Sequence, residues 1–359
     1  MLKHVRIPKQ SELHHWADFV ELRCLVDVDG RFSGERLLTA KKQGIDTGEG
    51  VAEAQDQSET DAIDQLLGSD GPQLGDLLVD FGAKADDDEV EPEADEEEDS
   101  FGRSAEVADN LDNWAKRIFV LLGERADSLG VAYPFDVDTP GMTIVSRDKD
   151  DMRRRYVFFL IASSLGRLDA SPQARVPAEF ERVSLQLLRI MLPVPFEIDH
   201  FGTAGRGGSR FDGGIFDRIC QLADVLNGAV LCSRDTFHPK DNGDNGLDIV
   251  AWLPYADPGQ GIASFFCQCA CGIEWEPKQA EPAYNRWRRY IDLASPPATV
   301  VITPQYFRQY REHWYVDEEV SGILLDRLRC LRLTTETSEL SEYERSVVEA
   351  VWKPHPDLG

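Results

Sequence analysis

Gly243-Asp244-Asn245-Gly246-Leu247-Asp248-Ile249-Val250-Ala251-Trp252, followed by Phe265-Phe266-Cys267-Gln268-Cys269-Ala270-Cys271, is the stretch from which the rest of the chain is best read. Asn245-Gly246 supplies the positive φ of a tight turn, and Ile249-Val250-Ala251-Trp252 is apolar and β-prone, so the first segment reads as a turn feeding a strand. Asp248 stands at the start of that strand. The second segment reads as a nearly apolar strand with one polar side chain, Gln268. Alternation puts Gln268 and Ala270 on one face and Cys267, Cys269 and Cys271 on the other. A turn between Leu253 and Gly261, carrying Pro254, Asp257, Pro258 and Gly259, brings the strands side by side and Asp248 near Gln268.

Upstream of this pair the spacing predicts helices. Phe180, Val183, Leu187, Ile190 and Met191 form one stripe of a helix over 177–192, ended by Pro193 and Pro195. A mostly apolar helix is expected over 151–168, an amphipathic one over 109–129, and one over 66–81. Near the start, Trp16, Phe19, Val20 and Cys24 recur at helical spacing. A glycine-rich loop over 202–214 leads to a helix over 215–226 that Asn227-Gly228 stops, and Ala229 to Cys232 begins a strand. Downstream, the reading is a helix over 284–293, a strand over 298–302 and a helix, or helix plus strand, over 321–333. No internal repeat is visible.

At 359 residues the length suggests two domains. The division expected is a mostly helical accessory region over 1–170 and an α/β domain over 171–359. Between Asp86 and Asp99 eleven of fourteen residues are acidic, too few apolar groups to offset the entropy of ordering, so about 84–104 is expected to be a disordered acidic insert. The net charge of −27 argues against a generally basic nucleic-acid binder. The charge is uneven, however: Arg286, Arg288, Arg289, Arg308, Arg311, Arg327, Arg329 and Arg332 fall in the C-terminal part. Seven cysteines without framework spacing fit a reducing compartment. Met1-Leu2-Lys3-His4 opens no apolar run, and Tyr156 to Leu165 is short of the roughly 20 residues that span a bilayer. A soluble cytoplasmic protein is expected.

The turn and the Gln268 strand together resemble the Mrr-type branch of the PD-(D/E)xK nuclease superfamily, in which a Gly-Asp-Gly-Gly-(Ile/Val)-Asp turn precedes a Gln-x-Lys strand. The resemblance covers roughly residues 177–275 and implies a restriction-endonuclease-like fold, a mixed sheet flanked by helices. It implies Asp248 as principal metal ligand, Gln268 in the second position, and a glutamate from an upstream helix. Glu181, in Phe180-Glu181-Arg182-Val183, matches best; Asp217, in Phe216-Asp217-Arg218, is the rival. Such a site holds Mg²⁺ (or Mn²⁺), a hard ion that takes oxygen ligands, and the metal activates water and neutralises charge on the phosphate. The implied activity is hydrolysis of DNA in restriction or anti-phage defence, often beside a helicase or ATPase partner. Ala270 departs from the pattern by standing where the lysine belongs. Lys278 or Lys240 is then the candidate replacement, or the protein is a non-catalytic binding or assembly subunit. A third reading is an adaptor acting through the acidic region.

Blander readings compete at each position. Asp248 also suits a turn-capping aspartate, and Gln268 a hydrogen-bonded amide in a central strand. The three cysteines do not have the two-to-four-residue gaps of a zinc knuckle, so they are read as core. The Gly243–Gly246 turn lacks EF-hand ligands, and the 202–214 loop lacks the Gly-Lys-Ser/Thr of a phosphate loop. Arg206, Arg210, Arg286, Arg288 and Arg289 are the candidate phosphate contacts. The last three also read as an ordinary charge-paired helix face.

Overall fold

The computed structural model describes residues 5–9, 12–46, 96–168, 175–202, 209–238, 245–273, 275–314, 320–334 and 339–352, with the side chains of 44–46 and 96–108 outside it. The expected helix over 66–81, most of the acidic insert, Arg206 and Lys240 lie outside the described residues. The chain divides into two compact units, 1–148 with 351–359, and 149–350. The helix over 151–163, read as the end of the accessory region, therefore belongs to the second unit.

In the first unit, helix α1 (Leu13–Val26) buries Trp16, Phe19, Val20 and Cys24, the stripe its spacing predicts. Strand β1 (Arg31–Ser33), helix α2 (Gly34–Asp46), helix α3 (Glu96–Leu129) and strands β2 (Phe135–Asp138) and β3 (Thr143–Ser146) follow. The strands form an antiparallel sheet in the order β1-β3-β2, so this unit is not simply helical. Helix α3 begins at Glu96, inside the segment expected to be disordered. Glutamate is a good helix former and acidic groups suit a helix N-terminus, so the ordered helix extends upstream into the acidic run.

Helix α1 also buries charge. Asp18 and Glu21 are 1% and 0% exposed, and both accept from Arg125 Nη1, at 2.7 and 2.9 Å. The Tyr133 hydroxyl donates to Glu21 Oε1 at 2.8 Å. Buried charge persists only when paired and hydrogen-bonded in this way. Lys41, 3% exposed, places its ammonium over the Trp16 and Trp114 rings at 4.6 and 4.8 Å, and burial lowers its pKa from 10.5 to about 8. The charged form is thus disfavoured on folding at pH 7, a penalty that fades between about pH 8 and 10.5 as the unfolded-state amine also loses its proton. Lys41→Met is accordingly expected to raise stability more at pH 7 than at pH 10 in urea denaturation. An equal gain at both pH values would contradict it.

The second unit is mixed α/β. Helix α4 (Asp151–Ser163) is capped by Asp150, whose carboxylate accepts from Arg153 N at 2.8 Å. Helix α5 (Val176–Met191) opens with Pro177 in its first turn and packs on the sheet. Then come β4 (Glu197–His200), α6 (Ile215–Val225), β5 (Ala229–Val230), β6 (Ile249–Trp252) and β7 (Ser264–Cys269). After these follow α7 (Tyr284–Trp287), β8 (Ile291–Asp292), β9 (Ala298–Ile302), β10 (Arg308–Gln309), β11 (His313–Trp314), β12 (Ile323–Leu325), α8 (Arg327–Leu333) and α9 (Glu342–Val351).

The central sheet has the order β12-β9-β7-β6-β4. Its β4, β6 and β7 run antiparallel to one another in turn, while β7, β9 and β12 are parallel. One face packs Val250, Trp252 and Phe266 against Ile215, Ile219 and Leu222 of α6, with Trp287 and Tyr290 closing the layer. Three features depart from the sequence reading or add to it. Strand β4 was not legible, because Glu-Ile-Asp-His after two prolines carries only one apolar residue. The helix expected over 284–293 stops at Trp287. Burial of Trp287 and Tyr290 and the Leu293 N to Tyr284 Oη bond at 2.8 Å turn the chain back, and Ile291–Asp292 pairs with β5. Strand β5 therefore belongs to a separate two-stranded ribbon and not to the central sheet.

Candidate functional site

The expected pair of strands is present and adjacent. Ile249 lies opposite Cys267 and Val250 opposite Phe266, in an antiparallel register that runs on towards Asp248 and Gln268. Asn245 and Gly246 take φ of 56° and 78°, the left-handed values a tight turn needs. A Cβ at Gly246 would lie 2.5 Å from the Glu281 Cβ, so the turn also requires glycine for close approach.

At Asp248 the ladder is altered. Its N–H donates to Cys267 O at 2.9 Å, while its side-chain Oδ2 accepts the Cys269 N–H at 2.7 Å. Its carbonyl accepts from Phe201 and Gly202 N–H, at 2.8 and 3.1 Å. A carboxylate only 5% exposed is thus fixed between the ends of β4 and β7. The carboxylate reaches across to the neighbouring strand.

Gln268 is 7% exposed, and its Oε1 is buried without a hydrogen-bond partner among the described residues. An unpaired buried carbonyl costs about 1–3 kcal/mol, and strand β7 carries a second such atom, the Ser264 Oγ. Ala270, two residues on, is 3% exposed and packs with Trp275, Val301, Phe307 and Leu324. The lysine position therefore faces an apolar cluster.

On the other face of β7, burial raises the thiol pKa of Cys269 and Cys271, and the negative charges of Asp248 and Glu181 raise both further. Glu181 of α5 and Asp248 therefore act on the same two thiols. Among the described residues no group of three or more His, Cys, Asp and Glu side chains is arranged to hold a metal ion.

The remaining candidates are dispersed. Asp217 caps the start of α6 at Gly214 N (3.3 Å) and pairs with Arg234 at 2.5 Å, so its carboxylate is engaged away from β7. Lys278 pairs with Glu281 at 3.1 Å, and Glu281 lies against Gly246, which puts this lysine beside the turn. Arg210 is held by Glu197 at 2.8 Å and lies over Trp252, whereas Arg286 donates to Asn245 Oδ1 at 3.3 Å. Arg288 and Arg289 are exposed, Arg289 over the Tyr290 ring.

Sequence reasoning missed Arg218. It is 3% exposed on the apolar face of α6, and its Nη1 donates to Phe201 O at 2.7 Å, securing the segment whose N–H groups hold Asp248. A cation on the Ile215–Ile219–Leu222 stripe was the available signal. No family model, no curated protein and no solved structure matches this chain. No helix among the described residues is long and apolar enough to cross a membrane.

Proposed function

We propose that the second unit is a restriction-endonuclease-like domain and that the chain is a Mg²⁺-dependent nuclease acting on DNA. The observation that carries the reading is the Gln268 carbonyl oxygen, buried and unpartnered on the strand next to the buried Asp248 carboxylate. The order of elements also supports it: a helix bearing Glu181, a strand begun by Asp248, then the strand bearing Gln268. The donors are a carboxylate and an amide oxygen, which suits a hard cation. Mg²⁺ keeps several waters and is commonly held by one or two carboxylates plus substrate phosphate, so a full protein cage is not required.

In this reading Asp248 and Gln268 hold the ion; Glu181, which acts on Cys269 and Cys271 on the face of β7 opposite Gln268, is the helix-borne carboxylate by motif order alone. Bound Mg²⁺ would lower the pKa of a water and neutralise charge on the scissile phosphate. The Cys269 N–H orients the Asp248 carboxylate, and Phe201, secured by Arg218, fixes its backbone. Lys278, beside the turn, is the residue nearest in role to the absent lysine. The family resemblance further implies work in restriction or anti-phage defence with a helicase or ATPase partner.

A second reading, a non-catalytic nucleic-acid-binding or assembly subunit, has its own observation. Ala270 sits in an apolar cluster, and Lys278 is already paired with Glu281. Titration of the protein with Mn²⁺ in the presence of a DNA oligonucleotide, followed by electron paramagnetic resonance, tests the metal-dependent reading. Saturable binding that Asp248→Ala removes is the expected result. Binding absent from the wild type, or unaltered in Asp248→Ala, would overturn the metal assignment.

A further inference from the structure

The β10–β11 hairpin has a tip that the fold does not explain. Its loop is the three residues Tyr310 to Glu312, and the last two, Arg311 and Glu312, have φ of 54° and 64°, consecutive left-handed conformations that non-glycine residues rarely adopt. Such conformations cost of order 1 kcal/mol each in non-glycine residues and persist where something compensates. For Glu312 the compensation is internal. Its carbonyl accepts from Arg308 Nη1 at 2.8 Å, and its carboxylate pairs with Arg332 at 2.6 Å. For Arg311 it is not: among the described residues its guanidinium makes no ion pair and lies only over the Tyr310 ring, at 5.1 Å. Tyr310 is itself 63% exposed, among the most exposed of the large apolar side chains.

The hairpin is rooted in the apolar cluster that holds Ala270. Phe307, just before β10, stacks on Trp275 at 4.6 Å with an interplanar angle of 2°. Phe307 belongs to the cluster that holds Ala270, and Trp314 packs against it. The Trp314 ring lies near two guanidiniums, those of Arg308 and Arg329, at 5.2 and 4.4 Å. The strained turn thus presents an exposed aromatic ring beside a cation that has no ion pair among the described residues.

We infer that this tip engages single-stranded nucleic acid, Tyr310 stacking on a base while Arg311 contacts the adjacent phosphate. An exposed ring offers a π-face that any base can use, and a neighbouring arginine supplies the charge complement of the backbone. The arrangement gives no pattern of donors and acceptors for reading a sequence, so binding is expected to be sequence-tolerant. The inference rests on the nucleic-acid reading of the second unit but not on catalysis.

The test is fluorescence anisotropy of the full chain with labelled single-stranded and duplex DNA oligonucleotides, in EDTA, across a salt series. Tyr310→Ala is expected to weaken single-strand binding roughly ten-fold or more, with Tyr310→Trp retaining it. Arg311→Gly is expected to lower the salt slope by about one while raising the melting temperature, since glycine relieves the turn. Absence of single-strand binding by the wild type, or unchanged affinity in both Tyr310→Ala and Arg311→Gly, would overturn the inference. Tyr310-dependent binding by a protein that never cleaves would uphold it and leave only the catalytic reading refuted.

Discussion

Gln268→Met is expected to stabilise the protein by about 1–2 kcal/mol while reducing metal-dependent cleavage roughly a hundredfold or more. The two effects share one cause. The Gln268 Oε1 lies buried with no partner, so an apolar side chain of similar length removes an unmet demand. If that demand is met by a metal ion during function, the same replacement removes a ligand. Groups held in an unsatisfied state at the expense of stability are characteristic of sites. Urea denaturation and a cleavage assay on one preparation check both halves. Loss of stability would show that the amide is satisfied in the fold, and Gln268 would then be ordinary strand structure.

Asp326→Ala is expected to have the largest effect on stability, a loss of about 3–5 kcal/mol. Asp326 is 0% exposed and accepts from Arg308 Nε and Nη2 at 2.5 and 2.9 Å. It also caps α8, accepting from Arg329 N at 3.2 Å. Removing it strands a guanidinium that is 9% exposed and uncaps a helix at once. Arg308 also holds the hairpin turn through Glu312 O, so the loss spreads to β10–β11. Equilibrium denaturation measures it, and a cost below about 1 kcal/mol, the scale of an exposed pair, would contradict this account.

The strands that carry the site were legible because their sequences are locally unambiguous. Asn245-Gly246 demands a turn, and the apolar runs on either side of 253–261 have nowhere to go but side by side. The stripe of α5 was plain from Phe180, Val183 and Leu187, all buried, but its last member on that reading, Ile190, is exposed and Met191 only half-buried. What escaped is what long-range contacts decide. Strand β4 has little β-propensity of its own and forms because β6 offers its edge. The helix at Tyr284 is cut short by burial of Trp287 and Tyr290, a tertiary effect that overrides propensity. Arg218, Asp18 and Glu21 are buried charges, which a sequence pattern reads as surface until their partners are known. Within the site, Asp248 and Glu181 were placed together by motif order, and the structure adds the contact that motif order lacked, the Cys269 N–H on the Asp248 carboxylate. Asp217 shows the reverse case, since a carboxylate early in a helix looks the same in sequence whether it binds a metal or caps a turn.

The measurement that bears most directly on the account is cleavage of linear and supercoiled DNA by the purified protein in Mg²⁺ or Mn²⁺, beside Asp248→Ala, with DNA binding of both followed in parallel. The account predicts metal-dependent cutting by the wild type that Asp248→Ala abolishes while binding persists. Cutting that survives Asp248→Ala would contradict the site. No cutting by the wild type would contradict the nuclease.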